Sequence, residues 1–540
     1  MKPRIKPTFW AIAVALLIVA ALPHFWKLGS APEGFYLDEA SIAYNAYCID
    51  RTGADEYGTR WPIFFRCFDT YTDPVDVYSA VLPIHFFGLE QGPARLPSAL
   101  FYTMTCVAFF LLLRQWRLGD WFALGGGLAL WLVPWVFPAG RNGAFAGHTA
   151  ALFGLVMGLL LTDSALRRRS IPRGVLAGAA WAFTFYAHQS ARPVVALLAI
   201  ISGVIFYRLL LRRWQVVVAM AASAMVLLLP MLISVLRFPE AMTARYQQVG
   251  ISQEAPSLGT AALETATHYA EYFSPRFLLI SGDEQLRHHT GFGGELPRYF
   301  VPLILAGLWA VIRSWRRQPR YRLVVVGLLV SPVSAALTID RMHSTRCIYG
   351  VVFWLLVAMI GARWLWQQRG VWRTVLLLTV CGGLVESALY LHDYFGAYQT
   401  LSRDEFMTDE IRAFKYCFQH LGSNEVLYVS GWMFSPNRCD LNMQLKPFYY
   451  VYPLFYGKVD PREYQRGGFP TDSIRLYEDS ATRPGLIVLC NYIYVWQQTG
   501  PPRVFMNNEP LPPNASLDAV IPAQSSKMKI KLQYEIYRVP

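Results

Sequence analysis

Just past its first apolar stretch the chain runs Gly34-Phe35-Tyr36-Leu37-Asp38-Glu39-Ala40 and continues as a helix-like segment to Ile49. A carboxylate in such a place can take the proton from a hydroxyl nucleophile held within about 3 Å. Aspartate at the start of a helix also serves as its N-cap. Spacing alone therefore leaves Asp38 two readings: general base, or cap of a helix beginning at Glu39. Glu39, Asp69, Asp73 and Asp76 are the other acids of this segment that could act or bind beside Asp38. The last three sit among Tyr71, Pro74 and Tyr78, a texture shared by carbohydrate sites and ordinary polar loops. Asp73-Pro74-Val75-Asp76 has the wrong spacing for the D-x-D pair of a metal-dependent nucleotide-sugar pocket.

A cationic set accompanies these acids. Arg141 and His148, His188 and Arg192, and Arg341, His343 and Arg346 fall in short connections between apolar segments, and Arg287, His288 and His289 in a longer one. Guanidinium forks match phosphate oxygens, so several of them converging would favour an anionic headgroup. Taken singly, each can equally pair with a nearby acid or reach toward lipid headgroups. Arg192, Arg346, His343, Arg141, Arg287 and His288 are the candidates for binding an anionic phosphate group.

The elements that must position these groups are membrane helices. Of the 540 residues, 54% are hydrophobic and 16% charged, against about 25% charged in soluble domains. The apolar residues gather into blocks near the length that crosses a bilayer, about 20 residues. Eleven blocks are read near 8–28, 94–113, 121–139, 144–166, 174–188, 193–211, 214–237, 298–312, 323–339, 347–366 and 374–391. The net charge of +13 excludes neither nucleic acid nor membrane until its location is considered. The arginines cluster beside the blocks, at Arg114 and Arg117, at Arg167 to Arg169, at Arg212 and Arg213, at Arg316 and Arg317, and at Arg369 and Arg373. By the positive-inside rule these face the cytoplasm together with the N-terminus. The segments 29–93, 238–297 and everything after about 392 then lie on the outer face.

The expected architecture is a polytopic α-helical membrane domain over 1–391, followed by a soluble α/β domain over 392–540. Short apolar runs at 426–429, 486–489 and 534–537 read as strands. The stretch 409–421 reads as an amphipathic helix through Ile411, Phe414 and Phe418. Cys48 and Cys67 share an outer segment and are equally readable as a disulfide or as free buried thiols. The chain has no C-x-x-C, no H-E-x-x-H and no P-loop, so no zinc finger, zincin or nucleotide-phosphate motif is signalled.

Asp38-Glu39 after the first span, Thr52-Gly53-Ala54-Asp55-Glu56-Tyr57-Gly58 with Trp61-Pro62, Arg287-His288-His289 with Gly291-Phe292-Gly293-Gly294, and Ala335-Ala336-Leu337-Thr338 running to His343 and Arg346 resemble the C-type (GT-C) membrane glycosyltransferases. The likeness is to the bacterial branch related to protein O-mannosyltransferases and the lipid A aminoarabinose transferase, and it covers roughly residues 1–395. It implies a polyprenyl-phosphate sugar as donor and Asp38 as the aspartate acting on the acceptor. It further implies a bacterial inner membrane, with the outer domain extracytoplasmic. The reaction expected is inverting transfer to a hydroxyl of a protein, lipid or polysaccharide, with no metal or other cofactor and no nucleic acid. The rival expectations are a flippase for a lipid-linked glycan, and a glycan polymerase or ligase on the same fold.

Overall fold

The computed structural model describes residues 7–68, 70–430, 450–468, 471–477, 483–490, 492–495, 503–506, 510–522 and 533–540. Asp69 lies outside the described residues. Eleven helices coincide with the eleven apolar blocks: Pro7–Phe25, Gln91–Gln115, Asp120–Trp131, Ala146–Arg168, Ile171–Ala187, Ala191–Ile205, Trp214–Arg237, Phe300–Ser314, Pro319–Val330, Gly350–Gln368 and Val371–Phe395. Among the described residues, six helical stretches are long and apolar enough to cross a membrane by themselves; Gln91–Gln115, Gly143–Arg168 and Gly350–Gln368 are largely buried in the bundle. Trp214–Arg237 leaves most of its apolar surface exposed, as a lipid-facing helix does. The chain is a polytopic membrane protein.

Three blocks end as helices earlier than their hydrophobicity predicts. Asp120–Trp131 stops ahead of Pro134 and Pro138, because proline has no N–H for the helical ladder and clashes with the preceding turn. The chain beyond it crosses to the polar connections: Trp135 N–H donates to Glu295 O (3.1 Å) and Trp135 Nε1 to Ser344 O (2.9 Å). Pro319–Val330 likewise gives way at Pro332 to the single turn Val333–Ala336. Ala191–Ile205 breaks before the short helix Tyr207–Leu211.

The C-terminal region carries a five-stranded sheet. Val426–Ser430 lies between Ile474–Tyr477 and Gly485–Cys490, parallel to both. Gln533–Val539 and then Ser516–Pro522 extend it antiparallel. All five residues of the inner strand Val426–Ser430 are buried, which is why it reads as a continuous apolar run. The helix Thr408–His420 buries Ile411, Phe414 and Cys417 on one side, and each large apolar side chain so covered contributes about 1.5–3 kcal/mol. Phe418 is only partly buried at the edge of that contact.

This region shares a core with the segment after the first span. Phe35, Ala40 and Tyr44 pack with Phe414, Tyr452 and Phe455. Phe35 N–H donates to Phe406 O (2.7 Å), Tyr452 Oη to Phe35 O (2.8 Å) and Tyr44 Oη to Val459 O (3.3 Å). Gly34 has φ +89°, and a Cβ there would fall 2.4 Å from Phe406 O, so the approach requires glycine. Cys48 and Cys67 are free buried thiols.

Glu56 sits in the same contact. It accepts from Asn45 Nδ2 (3.1 Å) and Tyr450 Oη (3.0 Å), and burial raises its pKa from 4.5 to about 7. A raised acid favours the fold in its protonated form. The stabilisation is thus full below about pH 4.5 and is lost as pH rises through about 7. Glu56→Gln should flatten the pH dependence of Tm across that window, where the wild type loses up to about 3 kcal/mol. Equal slopes for the two proteins in thermal denaturation from pH 4.5 to 8 would refute this.

Candidate active site

The helix Leu37–Thr52 follows Tyr36, and the Glu39 carboxylate accepts the Tyr36 N–H (2.9 Å) in a capping box. The N-cap residue is therefore Tyr36, with Glu39 as the carboxylate of its capping box, and the cap reading of Asp38 does not hold. Asp38, in the first turn and half-buried, has no hydrogen bond or ion pair among the described residues. Burial raises its pKa, Arg245 and Arg287 oppose that rise, and Glu39 adds to it. The result is a raised, unengaged carboxyl facing two cations, the environment of a tuned general base.

Arg245, on the helix Glu240–Val249, was not foreseen from sequence. It lies in a polar stretch with no motif, and only its placement beside Asp38, His188 and Arg346 brings it into the site. Arg245→Ala should raise the Asp38 pKa further and move the acid limb of the kcat/KM profile to higher pH. A limb that stays in place would remove Arg245 from the site.

Two expected site residues belong to the scaffold instead. Glu39 is fully buried against Arg95 (Oε1 to Nε 2.7 Å, Oε2 to Nη2 3.0 Å) and also accepts the Gly143 N–H (2.8 Å). Both its oxygens are occupied, so it offers no second acid. Arg141 donates to the carbonyls of Pro23, Trp26 (2.7 Å) and Ala31 (2.9 Å) and to Tyr394 Oη (3.2 Å). A guanidinium committed to these acceptors ties the end of the first span to the last one. It is not turned toward the other cations expected to bind phosphate.

The remaining candidates converge. Asp73 pairs with Arg192, and its second oxygen accepts the Gln189 N–H (2.7 Å). Arg192 also donates to Phe185 O (3.2 Å). Asp76 accepts the Gly147 N–H (2.6 Å), and burial with Asp73 and Asp38 nearby holds its carboxyl well above the usual range. Gly147 has no room for a Cβ, which would lie 2.4 Å from Ala187 O and 2.6 Å from Asp76 Oδ2. Beside it the His148 and His188 rings lie 3.6 Å apart.

His288 and His343 form a second ring pair, 4.4 Å apart. Arg346 donates through Nη1 to Thr338 Oγ1 (2.8 Å) and Asp340 Oδ2 (2.7 Å), and its charge reaches His148, His188 and His343. The Arg287 guanidinium lies 4.2 Å over the Tyr36 ring; its buried Nε is ion-paired with Glu405 at 3.7 Å and has no hydrogen bond among the described residues. Burial and this surrounding positive charge keep His188 and His343 well below the usual histidine range. The arrangement is an acid beside a concentration of cationic and neutral imidazole donors, suited to an anionic leaving group. His289 and Arg341 stand outside it, His289 accepting the Gly291 N–H (3.0 Å) and Arg341 paired with Glu271.

Among the described residues, Asp283, His288 and His343 bring possible metal-ligand atoms within 4.8 Å of one another. Both Asp283 oxygens are already engaged: Oδ2 accepts His288 Nδ1 (2.9 Å), Ser344 N–H (2.8 Å) and Ser344 Oγ (3.0 Å), and Oδ1 accepts the Gln285 N–H (2.8 Å). These residues are arranged as a hydrogen-bonded group and do not present an open ligand set.

No protein-family model and no curated protein sequence matches the chain. Solved structures do. ArnT from Cupriavidus metallidurans bound to undecaprenyl phosphate aligns with a TM-score of 0.50 at 15% identity, over 89% of this chain and 93% of that one. The same protein in the apo state gives 0.44 at 17%, covering 90% and 93%. The Archaeoglobus fulgidus oligosaccharyltransferase tethered with an acceptor peptide gives 0.48 at 11%, covering 79% and 62%. The likeness to the first of these is one of fold.

Proposed function

We propose, from the GT-C fold of this chain and the site it assembles, that the protein is a membrane glycosyltransferase using a polyprenyl-phosphate sugar as donor. The observation that carries the reading is Asp38: a raised carboxyl without a partner among the described residues, set against Arg245 and Arg287. Asp38 takes the proton of the acceptor hydroxyl, whose oxygen attacks the anomeric carbon. The bond from that carbon to the phosphate oxygen breaks, the configuration inverts, and the polyprenyl phosphate departs with the electron pair. Arg346, Arg287 and Arg245 stabilise the charge growing on it, a contribution of about 2.7–4 kcal/mol per well-placed donor in other enzymes. Arg192 acts with its charge shared by Asp73.

The positive-inside distribution supports a cytoplasmic N-terminus and an outer-face site. A lipid-carried donor suits that location, since it reaches the outer face already attached to the membrane. The undecaprenyl phosphate bound by ArnT supports the same class of donor for this chain.

The test is purified protein in nanodiscs, supplied with radiolabelled polyprenyl-phosphate sugars and an extract of membrane acceptors. Transfer or donor hydrolysis by the wild type, absent in Asp38→Asn, supports the enzyme. Equal movement of donor across vesicles by both proteins, without product, would establish a flippase instead.

A further inference from the structure

Asp283 belongs to none of the motifs that mark the site, yet it is built into it. It is buried, and its Oδ1 accepts the Gln285 N–H (2.8 Å), closing the turn that leads to His288. Its Oδ2 receives His288 Nδ1, Ser344 N–H and Ser344 Oγ. One carboxylate thus joins the segment carrying Arg287 and His288 to the connection carrying His343 and Arg346. Burial opposes its charge, but His288 and the backbone donors outweigh that and keep it ionised. An ionised acceptor takes a proton from His288 Nδ1, which fixes the ring orientation; a second proton on Nε2 makes the ring an imidazolium, and the Asp283 charge is placed to offset it. The ring is further held by His343 at 4.4 Å and Phe145 at 5.3 Å. Its Nε2 has no hydrogen-bond partner among the described residues.

We propose that Asp283 is a positioning residue of the transfer site: its carboxylate pairs through His288 Nδ1–H with a ring that carries protons on both nitrogens, so that Nε2–H donates to a phosphate oxygen of the donor. This deepens the glycosyltransferase reading and rests on it. The bonding balance is that of the displacement: the acceptor proton goes to Asp38, the electron pair leaves with the phosphate, and His288 supplies a hydrogen bond that strengthens as the leaving oxygen gains charge. Its proton need not transfer. Asp283 contacts no substrate; it acts through His288.

The experiment is a double-mutant cycle of Asp283→Asn and His288→Ala in the full chain in nanodiscs, with kcat and donor KM measured separately. It is paired with 15N spectra of histidine-labelled protein, in which His288→Ala identifies the His288 signal. Asn keeps an acceptor oxygen and the side-chain shape but not the charge. The expected result is a kcat loss on the order of tenfold for Asp283→Asn with donor KM within about twofold. In the His288→Ala background the same change should have no further effect. The wild-type His288 Nδ1–H signature should be perturbed in Asp283→Asn.

Multiplicative losses, an unchanged His288 signature, or activity that needs an added divalent cation and disappears with chelator would each overturn the proposal. The last would make the carboxylate a metal ligand. Absence of any transfer by the wild type would overturn the enzyme reading and this inference's kinetic arm with it. The histidine spectra then still decide whether Asp283 holds both protons on the His288 ring.

Discussion

Asp38→Asn lowers kcat by about 10³-fold, inside the roughly 10²–10⁴ that a positioned general base contributes, while Tm stays within a few degrees of wild type. The two halves of this expectation have separate causes. Asparagine cannot accept the acceptor proton, so the attacking oxygen must lose it to water. Folding is indifferent because Asp38 has no hydrogen bond or ion pair among the described residues to lose. Removing a charge that burial already disfavours relieves the fold slightly. Donor KM should change little, since the cations proposed to bind the phosphate are untouched. Product formation within tenfold of wild type in the radiolabel assay would eliminate Asp38 as the base.

Arg95→Ala gives the opposite pattern: loss of the folded protein with no specific catalytic signature. The Arg95 and Glu39 side chains are both 0% exposed. Arg95 also donates to the carbonyls of Leu28 (3.3 Å), Pro32 (2.9 Å) and Gly34 (2.8 Å). Truncation leaves a buried Glu39 carboxylate unpaired and three carbonyls without donors. Breaking a buried pair on one side costs about 3–5 kcal/mol, a large part of the roughly 5–15 kcal/mol that holds a typical domain folded. The expected result is a sharply lowered Tm in detergent and poor recovery of monodisperse protein. Arg95→Lys rescues only in part, because an ammonium cannot grip both Glu39 oxygens as a fork. A variant with wild-type Tm would show that the pair is dispensable. The neighbours Asp38 and Glu39 therefore separate cleanly: one variant fails in turnover, while disrupting the other's partner fails in folding.

The sequence by itself determined the membrane architecture. Apolar blocks of bilayer length bounded by arginine are a local property, and eleven such blocks became eleven helices because each satisfies its own backbone hydrogen bonds within lipid. The strands at Val426–Ser430, Gly485–Cys490 and Gln533–Val539 and the helix Thr408–His420 were readable because their signals are also local, short apolar runs for the strands and a helical period for the helix. The early ends at Trp131 and Val330 follow from prolines whose backbone effect hydrophobicity does not register.

The roles of the polar groups were decided by tertiary structure, because a side chain's chemistry depends on what stands across from it, often a hundred residues away. Asp38 and Glu39 are adjacent and alike, and only Arg95 and Gly143 draw one of them into the scaffold. Arg141 had the type and position of a phosphate ligand, but carbonyls at Pro23, Trp26 and Ala31 take its donors. Arg245 and Asp283 carry no motif, and each entered the site only when folding set it beside Asp38 or His288. Hydrophobic periodicity survives any arrangement of the helices; the pairing of one buried charge with another exists only after they have packed.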